Sequence, residues 1–581
     1  MQLLFNRQLK DREEIERFLS GELKEDRTLV IGDNEQDRFY DPFLFKDMEA
    51  SVQLIIDQIK AGAPVLIYGD YDADGVTSSA VLLEVLQILQ AQVEVYLPDR
   101  VSEGYGLNKA ALDLIAKQGF KLIITVDTGI RNQAEVAYAK SLGLEIIITD
   151  HHLLPETAED LPDCLIINPA DKRNNYPGPT LAGVGVAFKL ASALIHKAKL
   201  PLRQKQLILE KILDLVAVGT IADLVSLLGE NRLLVKRGLE IINRQRRLGL
   251  RELIKVAKIS EKKAIEAWQV GWQLGPRLNA ASRLSHANTA FSLLITTNQE
   301  EASSLANELN QKNLSRQKIT EEIRVAVEQQ LAKTAIPKII ISVAPKDQVW
   351  NEGVIGLVAG KITEKYYRPS LIIIRVVEKF EFDSQQKKLV PKKFSFKGSG
   401  RSIPGFNLVK ALESCAAYLD KYGGHPLACG FTISSEENLE KFKKQLREIA
   451  NQEIVGNILI PKLSLEMELK FAQIDLGLVE EINRLAPFGQ DNQPPKFASY
   501  QLKIEEINLL GLDKQHIKIR FSQLGDQTSS SFWGLAFGEA ERYQDLVVGE
   551  QVALSYYLEI NEFNNKREVQ LKIIDLKLCQ K

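Results

Sequence analysis

Three short motifs in the sequence gather acidic and histidine side chains in patterns that suit the binding of divalent cations. They are GDYDADG (69–75), TVDTG (125–129) and TDHH (149–152). Carboxylates that face one another repel unless a cation lies among them. Imidazole beside carboxylate favours a transition metal such as Mn²⁺ or Zn²⁺ over Ca²⁺. Mixed ligands with a shared carboxylate would suit two ions that together hydrolyse a phosphoester.

Each motif taken alone also has a plainer interpretation. Three acids before a glycine are typical of an acidic surface loop, and a single Asp127 after a strand is typical of a helix cap. The pattern DxDxDG resembles the start of an EF-hand calcium loop, but the glutamate required at its twelfth position is missing. The sequence also has no GxxxxGK(S/T) phosphate loop and no GxSxG nucleophile motif.

The predicted elements around the motifs explain how residues distant in sequence could converge. Apolar runs alternate with helical patterns over residues 65–169, which predicts a doubly wound parallel sheet. The predicted strands are VLIY (65–68), VEVYL (93–97), LIITV (122–126), IIIT (146–149) and LII (165–167), and the predicted helices are Thr77–Leu89, Lys109–Lys117 and Asn132–Leu142. Open α/β sheets bind ligands at the carboxyl ends of their strands, where all three motifs lie. The side chains expected to meet there are Asp72, Asp74, Asp127 and His151.

Two further expectations concern the acids themselves. Asp70, Asp72 and Asp74 alternate along the chain, so an extended backbone would aim all three carboxylates the same way. Asp223 follows an apolar helix within the mainly helical region 182–257. An acid in such apolar surroundings is unusual unless it is paired or bound to a metal.

The rest of the chain divides into a helix and two further domains. Residues 299–333 contain no Gly or Pro and predict a polar helix of about 52 Å that joins two domains. A second α/β unit follows, with strands KIIISV (338–343) and SLIII (370–374), a helix from about Val354 to Glu364, and a Lys-rich hairpin or insertion at 378–397. After about Gly456, five alternating strands predict an OB-like barrel: KLSLEMEL, YQLKIEEINLL, HIKIRFSQL, VALSYYLEI and REVQLKIIDLKL.

Composition restricts the class of protein and its compartment. The formal net charge of −2 gives no overall basic surface, so any nucleic-acid binding must rely on local positive charge or on metal ions. The four cysteines form no CxxC pair, which excludes a zinc ribbon and favours a reducing compartment. The sequence shows neither an apolar signal core nor a run of 18 apolar residues. We therefore expect a cytoplasmic protein without a membrane partner.

Taken together, DYDADG, VDTG and DHH resemble the motifs of the DHH phosphoesterases, and other segments are similar to the RecJ family in particular. Those segments are GTIADLV (219–225), GPRLNAASRL (275–284), WNEGVIGLVAG (350–360), KGSGRSIPGFNL (397–408), GGHPLACG (423–430) and APFGQDNQPPKF (486–497). The resemblance extends from about residue 60 to the end. It implies an α/β fold with a DHH catalytic domain (1–298), a connecting helix (299–333), a smaller DHH-associated domain (334–455) and an OB-like nucleic-acid-binding barrel (456–581).

The resemblance also implies roles for individual residues. The implied metal ligands are Asp72, Asp74, Asp127, His151 and Asp223, with Asp70 and His152 as further ligands or as their partners. His152 could orient the substrate or act as a general acid. The implied substrate-binding residues are Tyr105, Arg277, Asn351, Ser399, Arg401, Gly424 and His425, the last two together with Gly423.

The chemistry of these substrate-binding residues agrees with the implied roles. Ser399 and Arg401 in GSGRS offer a hydroxyl, a guanidinium and backbone N–H groups, which suit a terminal phosphate, although the segment alone could be a flexible loop. Tyr105 could stack on a base or simply pack. Asn351 departs from the family, which often has His there, and an amide can hydrogen-bond a phosphate oxygen but carries no charge.

The implied activity is processive 5′→3′ release of mononucleotides from single-stranded DNA with Mn²⁺ or Mg²⁺, in recombination, base-excision repair and mismatch repair. A helicase and a single-strand-binding protein are the implied partners of a monomer. One alternative is a nanoRNase, pyrophosphatase or cyclic-dinucleotide phosphodiesterase of the same superfamily, which would lack the OB-like domain. Another is a catalytically inactive DNA-binding relative, in which the acids would be eroded.

Overall fold

The computed structural model describes residues 1–20, 28–30, 38–178, 180–260, 263–333, 335–383, 388–525, 530–563 and 566–579. Short elements precede the first large sheet: α1 (Gln2–Asn6), α2 (Arg12–Ser20), β1 (Thr28–Val30), β2 (Arg38–Tyr40) and α3 (Met48–Lys60). No helix within the described ranges is long and apolar enough to cross a membrane.

The first large sheet is fully parallel, with the strand order β4-β3-β5-β6-β7. Its elements are β3 (Val65–Gly69), α4 (Ala73–Ile88), β4 (Val93–Tyr96), α5 (Lys109–Lys117), β5 (Leu122–Val126), α6 (Gln133–Ser141), β6 (Glu145–Thr149) and β7 (Leu165–Ile167). The central strands β3 and β5 are buried throughout because their apolar residues are covered on both faces. The predicted doubly wound parallel sheet is confirmed, although α4 begins four residues before the expected Thr77.

A helical layer completes this domain. Its elements are α7 (Gly183–Lys197), α8 (Leu202–Ala222), α9 (Gly229–Asn243), α10 (Leu248–Val256), α11 (Ala267–Gln269), a π-helical turn (Val270–Leu274), α12 (Gly275–Leu284) and α13 (Asn288–Ile295). The apolar faces of α7 and α8 pack on α4 and form the main core with it. The long helix α14 (Gln299–Leu331) follows with 33 residues, or about 50 Å, as the sequence predicted. It contacts α10, α12 and α13 in this domain and α15 (Glu352–Tyr366) in the next.

The second large sheet is mostly antiparallel, with the order β11-β12-β10-β9-β8. It contains β8 (Ile340–Val343), β9 (Ser370–Asp383), β10 (Lys388–Arg401), α16 (Leu408–Glu413), β11 (Lys421–His425), β12 (Ala428–Ile433) and α17 (Glu436–Glu453). The segment predicted as a hairpin or insertion forms the outer part of the β9–β10 hairpin, with residues 384–387 outside the described ranges.

The third unit is a small sheet that closes on itself. Its elements are β13 (Met467–Glu468), α18 (Leu476–Asn483), β14 (Phe497–Leu510), β15 (His516–Gln523), β16 (Ser531–Ala536), β17 (Gln551–Phe563) and β18 (Lys566–Leu578). Because β14 pairs with both β15 and β17, the five strands from β14 to β18 form a ring. One predicted strand is much shorter than expected. Of KLSLEMEL (462–469), only β13 pairs in the sheet, and residues 462–465 are exposed. The fifth strand of the ring is instead β16.

Polar contacts fix this third unit to the first domain. The buried Arg232 donates to the carbonyl oxygens of Leu485 and Ala486, both at 2.8 Å. Leu227, which is four residues after Asp223, donates its N–H to the Gln490 carbonyl at 2.9 Å. The predicted domain limits at 298, 333 and 455 stay predictions.

Candidate metal centre and facing cationic wall

The segment after β3 turns into α4 instead of continuing as a strand. The Asp72 carboxylate caps α4, accepting hydrogen bonds from the N–H groups of Asp74 and Gly75 at 2.9 and 3.1 Å. Asp74 therefore lies in the first helical turn, and the expectation of an extended backbone with three parallel carboxylates was wrong. The Asp74 carboxylate accepts from Gly183 N and Val184 N at 2.7 and 2.8 Å, at the start of α7. Capping thus fixes both carboxylates more tightly than an extended strand would.

The other ends of the sheet bring Asp127, His151 and Asp223 to the same place. His151 Nε2 lies 3.1 Å from an oxygen of Asp127, 3.7 Å from one of Asp223 and 3.9 Å from one of Asp74. Asp127 has a left-handed backbone, with φ of 61°. The start of α7 approaches so closely that a Cβ at Gly183 would lie 2.6 Å from the Asp127 Cβ. Asp223 is the residue that ends α8.

These side chains offer overlapping sets of ligand atoms. Three sets have ligand atoms within 4.8 Å of one another: Asp127, His151 and His152; Asp74, His151 and Asp223; and Asp70, Asp72 and Asp127. Within the part of the chain that the structure describes, one oxygen of Asp70, one of Asp127 and His151 Nε2 are buried and form no hydrogen bond, although the last two lie 3.1 Å apart. Buried polar atoms are normally paired, so a cation bound between these atoms would satisfy them. A carboxylate-rich set with one imidazole fits Mn²⁺ or Mg²⁺.

Burial gives the site an unusual protonation state. Burial and the neighbouring carboxylates raise the pKa of Asp74 to about 7 and that of Asp223 to about 9. The same two causes raise the pKa of Asp70 and Asp127 well above the ordinary range. Burial and the charge of His152 lower the pKa of His151 to about 4, so its imidazole is neutral near pH 7. A divalent cation would bind the neutral imidazole and would stabilise the ionised form of these buried acids.

Asp150 sets the orientation of His152, a role that the sequence did not single out. Its carboxylate accepts from the N–H groups of Ile130 and His151 at 3.0 and 2.7 Å and lies 2.7 Å from His152 Nδ1. Burial would raise the pKa of Asp150, but the bond to His152 lowers it below the ordinary value. The Tyr105 hydroxyl lies 3.1 Å from the same Nδ1 and donates to the Asp127 carbonyl at 3.2 Å. Tyr105 is therefore bonded to the metal-centre residues while its ring stays partly exposed.

The second domain places the predicted phosphate-binding pair beside α15. Arg401, at the end of β10, donates to the Gly400 carbonyl at 2.8 Å and to the Ser399 hydroxyl at 3.4 Å. A Cβ at Gly356 would lie 3.0 Å from the Ser399 hydroxyl and 3.1 Å from the Arg401 guanidinium. The part of α15 around Gly356 thus lies directly against this pair.

The positions of Asn351 and of the GGH segment (423–425) do not by themselves indicate contact with a substrate. The Asn351 side chain caps α15, accepting from Gly353 N at 2.8 Å, so in this structure it supports the helix. Gly423, Gly424 and His425 form the exposed edge strand β11. The structure does not bring them into contact with the metal centre.

Arginines crowd the surface between the first and second domains. Arg277 donates to the Gln273 carbonyl at 2.7 Å and to Asn310 of α14 at 3.1 Å, and Arg283 donates to the Gly353 carbonyl at 2.9 Å. Burial and the charges of Arg100 and Arg316 lower the pKa of Arg283 to about 10. Like charges packed together favour an anion among them.

Three of these arginines were not found from sequence. The signals were weak: Arg283 belongs to the quoted motif GPRLNAASRL, and Arg100 follows the carboxyl end of β4. Arg316, on the long helix, has no distinguishing pattern. The expected local positive charge is therefore present, and we call Arg100, Arg277, Arg283, Arg316 and Arg401 the cationic wall.

Three family models match consecutive parts of the chain. The model described as DHH family, N-terminal domain, matches residues 64–220. The DHHA1 domain matches residues 336–452, and the RecJ OB domain matches residues 465–575.

Curated proteins and solved structures match over most of the chain. The single-stranded-DNA-specific exonuclease RecJ of Bacillus subtilis is 40% identical over 543 residues, spanning 92% of this chain but only 64% of that protein. Its namesake from Salmonella typhimurium is 32% identical over 551 residues, spanning 91% of this chain and 90% of that protein. The crystal structure of RecJ in complex with Mn²⁺ from Thermus thermophilus aligns with a TM-score of 0.78 and 28% identity, covering 100% of this chain and 76% of that one. On this sequence identity and this fold, the chain belongs to the RecJ family of DHH proteins.

Proposed function

We propose that the protein is a single-stranded-DNA-specific 5′→3′ exonuclease that hydrolyses phosphodiester bonds and releases mononucleotides. One observation carries this proposal: carboxylates and an imidazole from four chain segments converge in overlapping sets of ligand atoms, and the cationic wall lies beside them, where the charges of Arg100 and Asp70 and of Arg283 and Asp72 interact. The names of the relatives and the Mn²⁺-bound structure support the substrate and the cofactor.

We propose that Asp70, Asp72, Asp74, Asp127, His151 and Asp223 hold two Mn²⁺ or Mg²⁺ ions. Such a pair of ions activates a water as the nucleophile and stabilises the charge of the leaving oxygen. The protein's own contribution is to fix the Asp72 and Asp74 carboxylates at the starts of α4 and α7, so that little rearrangement is needed during the reaction.

We propose that His152 moves a proton at the scissile phosphate. Its Nδ1 faces the Asp150 carboxylate at 2.7 Å, which assigns the proton on that nitrogen to the Asp150 bond. His152 Nε2 is then the atom that can hydrogen-bond a phosphate oxygen or give a proton to the leaving group. The Tyr105 hydroxyl supports the same ring orientation.

The polarity of degradation follows from the second domain. Ser399 and Arg401 together offer a hydroxyl and a planar guanidinium, which match a terminal 5′-phosphate. Arg277 and its cationic neighbours would contact phosphates further along the strand. Asn351 would contribute an amide donor, and Gly424 and His425 would close on the scissile phosphate from β11.

The biological setting is proposed from the same relatives. We propose cytoplasmic action as a monomer in recombination and repair, on strands opened by a helicase and covered by a single-strand-binding protein. Sedimentation of the protein alone checks the monomer. Co-purification with a tagged single-strand-binding protein, before and after nuclease treatment, separates direct contact from tethering through DNA.

The decisive experiment follows labelled oligonucleotides in Mn²⁺. A 5′-phosphorylated single strand labelled at its 5′ end should release labelled mononucleotide at once, whereas a 3′ label should persist in progressively shorter fragments. A blunt duplex of the same sequence should resist. Immediate mononucleotide release from the 3′ label, or equal attack on the duplex, would contradict the proposal.

A further inference from the structure

Two tryptophans on the first domain are unusually exposed. In the segment AWQVGWQ, Trp268 and Trp272 are 54% and 72% exposed. By contrast, Trp350 is 5% exposed in the core, and Trp533 lies under the Lys518 ammonium at 4.4 Å. Large aromatic side chains left in water on a folded surface are typical of binding sites.

The backbone that carries these rings is firmly held. Asn243 bonds both the N–H and the carbonyl of Ile265, at 2.7 and 3.0 Å. At the start of α11, the Glu266 N–H donates to the Gln269 side chain at 3.0 Å, and the Glu266 side chain accepts from the Gln269 backbone in return. A π-helical turn follows and contains Trp272, and such turns occur frequently at functional sites. The exposure of the rings is therefore a property of an ordered surface.

The tryptophan ridge, Trp268 and Trp272, lies next to the metal centre. Cβ atoms built at Gly271 and Gly275 would each lie 3.3 Å from the last turn of α8, whose next residue is Asp223. Five residues after Trp272 comes Arg277 of the cationic wall. On the side of the ridge away from the metal centre, burial and the charge of Glu559 raise the pKa of Glu266. Glu559 lies in β17, so this strand of the third unit is close to Glu266. The ridge thus lies between the metal centre and the third unit.

We propose that Trp268 and Trp272 form a stacking platform for bases of the single-stranded DNA bound by this chain. The inference rests on the proposed function and extends it to bases, which the acids and arginines do not contact. Two aromatic residues four positions apart, about 6 Å along a helix axis, can receive unpaired bases of any sequence.

Binding in EDTA tests the platform without cleavage. The affinity of the full-length protein for fluorescein-labelled oligodeoxythymidylate should fall roughly tenfold in Trp272→Ala and less in Trp268→Ala. Trp272→Phe, which keeps a ring, should retain most of the affinity, whereas Trp272→Leu should not. Leu202→Ala, which removes an apolar side chain 69% exposed on the same domain, is the matched control and should bind like the parent. Intrinsic tryptophan fluorescence should be quenched by the oligonucleotide in the parent and less in Trp272→Phe.

Each contrary result has a definite meaning. Parent-like affinity in the Trp268→Ala, Trp272→Ala double variant would overturn the platform, while the exonuclease proposal would stand if the parent degrades DNA. A parent that neither binds nor cuts single strands would overturn both. Loss of self-association in the double variant, with DNA affinity unchanged, would assign the ridge to an interface between copies and also overturn the inference.

Discussion

The metal centre and the cationic wall lie next to each other but are constructed differently. In the metal centre, Asp72, Asp74 and Asp150 each accept hydrogen bonds from backbone N–H groups. These carboxylates are therefore held in position by the ends of helices and strands. In the cationic wall, Arg277 and Arg401 donate to carbonyls and retain further N–H groups for a ligand. Ligand atoms need precise positions, whereas phosphate binding needs charge and reach. The comparison teaches that changes in the metal centre should alter rate, and changes in the cationic wall should alter affinity.

The largest effect is expected from Asp127, whose carboxylate belongs to two of the three ligand sets. Asp127→Asn should lower kcat on single-stranded DNA on the order of 10³-fold or more, because it removes a charge from the centre. Steady-state kinetics in Mn²⁺ measures this. Asp163→Asn, at an acid whose side chain is 98% exposed, is the control and should be unchanged. A loss confined to KM would contradict the division of roles between the metal centre and the cationic wall.

The second effect concerns Arg401. Arg401→Ala should raise KM for 5′-phosphorylated strands by about tenfold to a hundredfold, because a guanidinium–phosphate contact is lost. For 5′-hydroxyl strands the change should be much smaller, and kcat should stay within about threefold. Arg447→Ala, at an exposed arginine of α17, serves as the control. Equal losses on both kinds of end would remove Arg401 from the terminal-phosphate site.

The third effect is the stabilisation of the protein by metal. Burial raises the pKa of Asp74 to about 7 and of Asp223 to about 9, so these groups bind protons more tightly when folded. Above about pH 7, where the lowered pKa of His151 no longer acts in the opposite sense, metal-free protein should therefore lose stability as the pH rises towards 9. At pH 8, Mn²⁺ at a hundredfold excess over its Kd should restore about 2.7 kcal/mol per site. Thermal unfolding with and without Mn²⁺ measures this, and a metal-free protein that gains stability with pH would refute it.

The smallest effect is expected at Asn351. Because its side chain caps α15, Asn351→Ala should cost about 1 kcal/mol in the free energy of unfolding. Urea unfolding measures this, and Asn351→Ser, which can still cap, should recover most of it. The kcat should change by less than about threefold. A tenfold loss of kcat with normal stability would instead show that the amide acts in the chemical step.

Sequence patterns predicted the elements that local chemistry determines. The parallel sheet followed from buried apolar runs such as LIITV, and α14 followed from a long polar segment without Gly or Pro. The convergence of Asp127 and His151 followed from the rule that strand ends share one edge of a sheet. These are statements about periodicity and topology, which a single sequence carries.

What sequence missed depends on contacts made only in the folded chain. The start of α4 at Ala73 depends on capping by Asp72, whose acid pattern equally fitted an extended strand. Strand β16, SFWGLA, is short and interrupted by Gly534, so only its partners β15 and β18 identify it. Arg316 joins the cationic wall because α14 lies across the domain, and nothing in its neighbouring residues indicates this.

Crystals grown in Mn²⁺ and measured at the manganese absorption edge test the central claim most directly. Two anomalous peaks about 3.5–4 Å apart are predicted among Asp70, Asp72, Asp74, Asp127, His151 and Asp223. Peaks absent from this cluster at saturating Mn²⁺, or lying only at other carboxylates, would contradict the account.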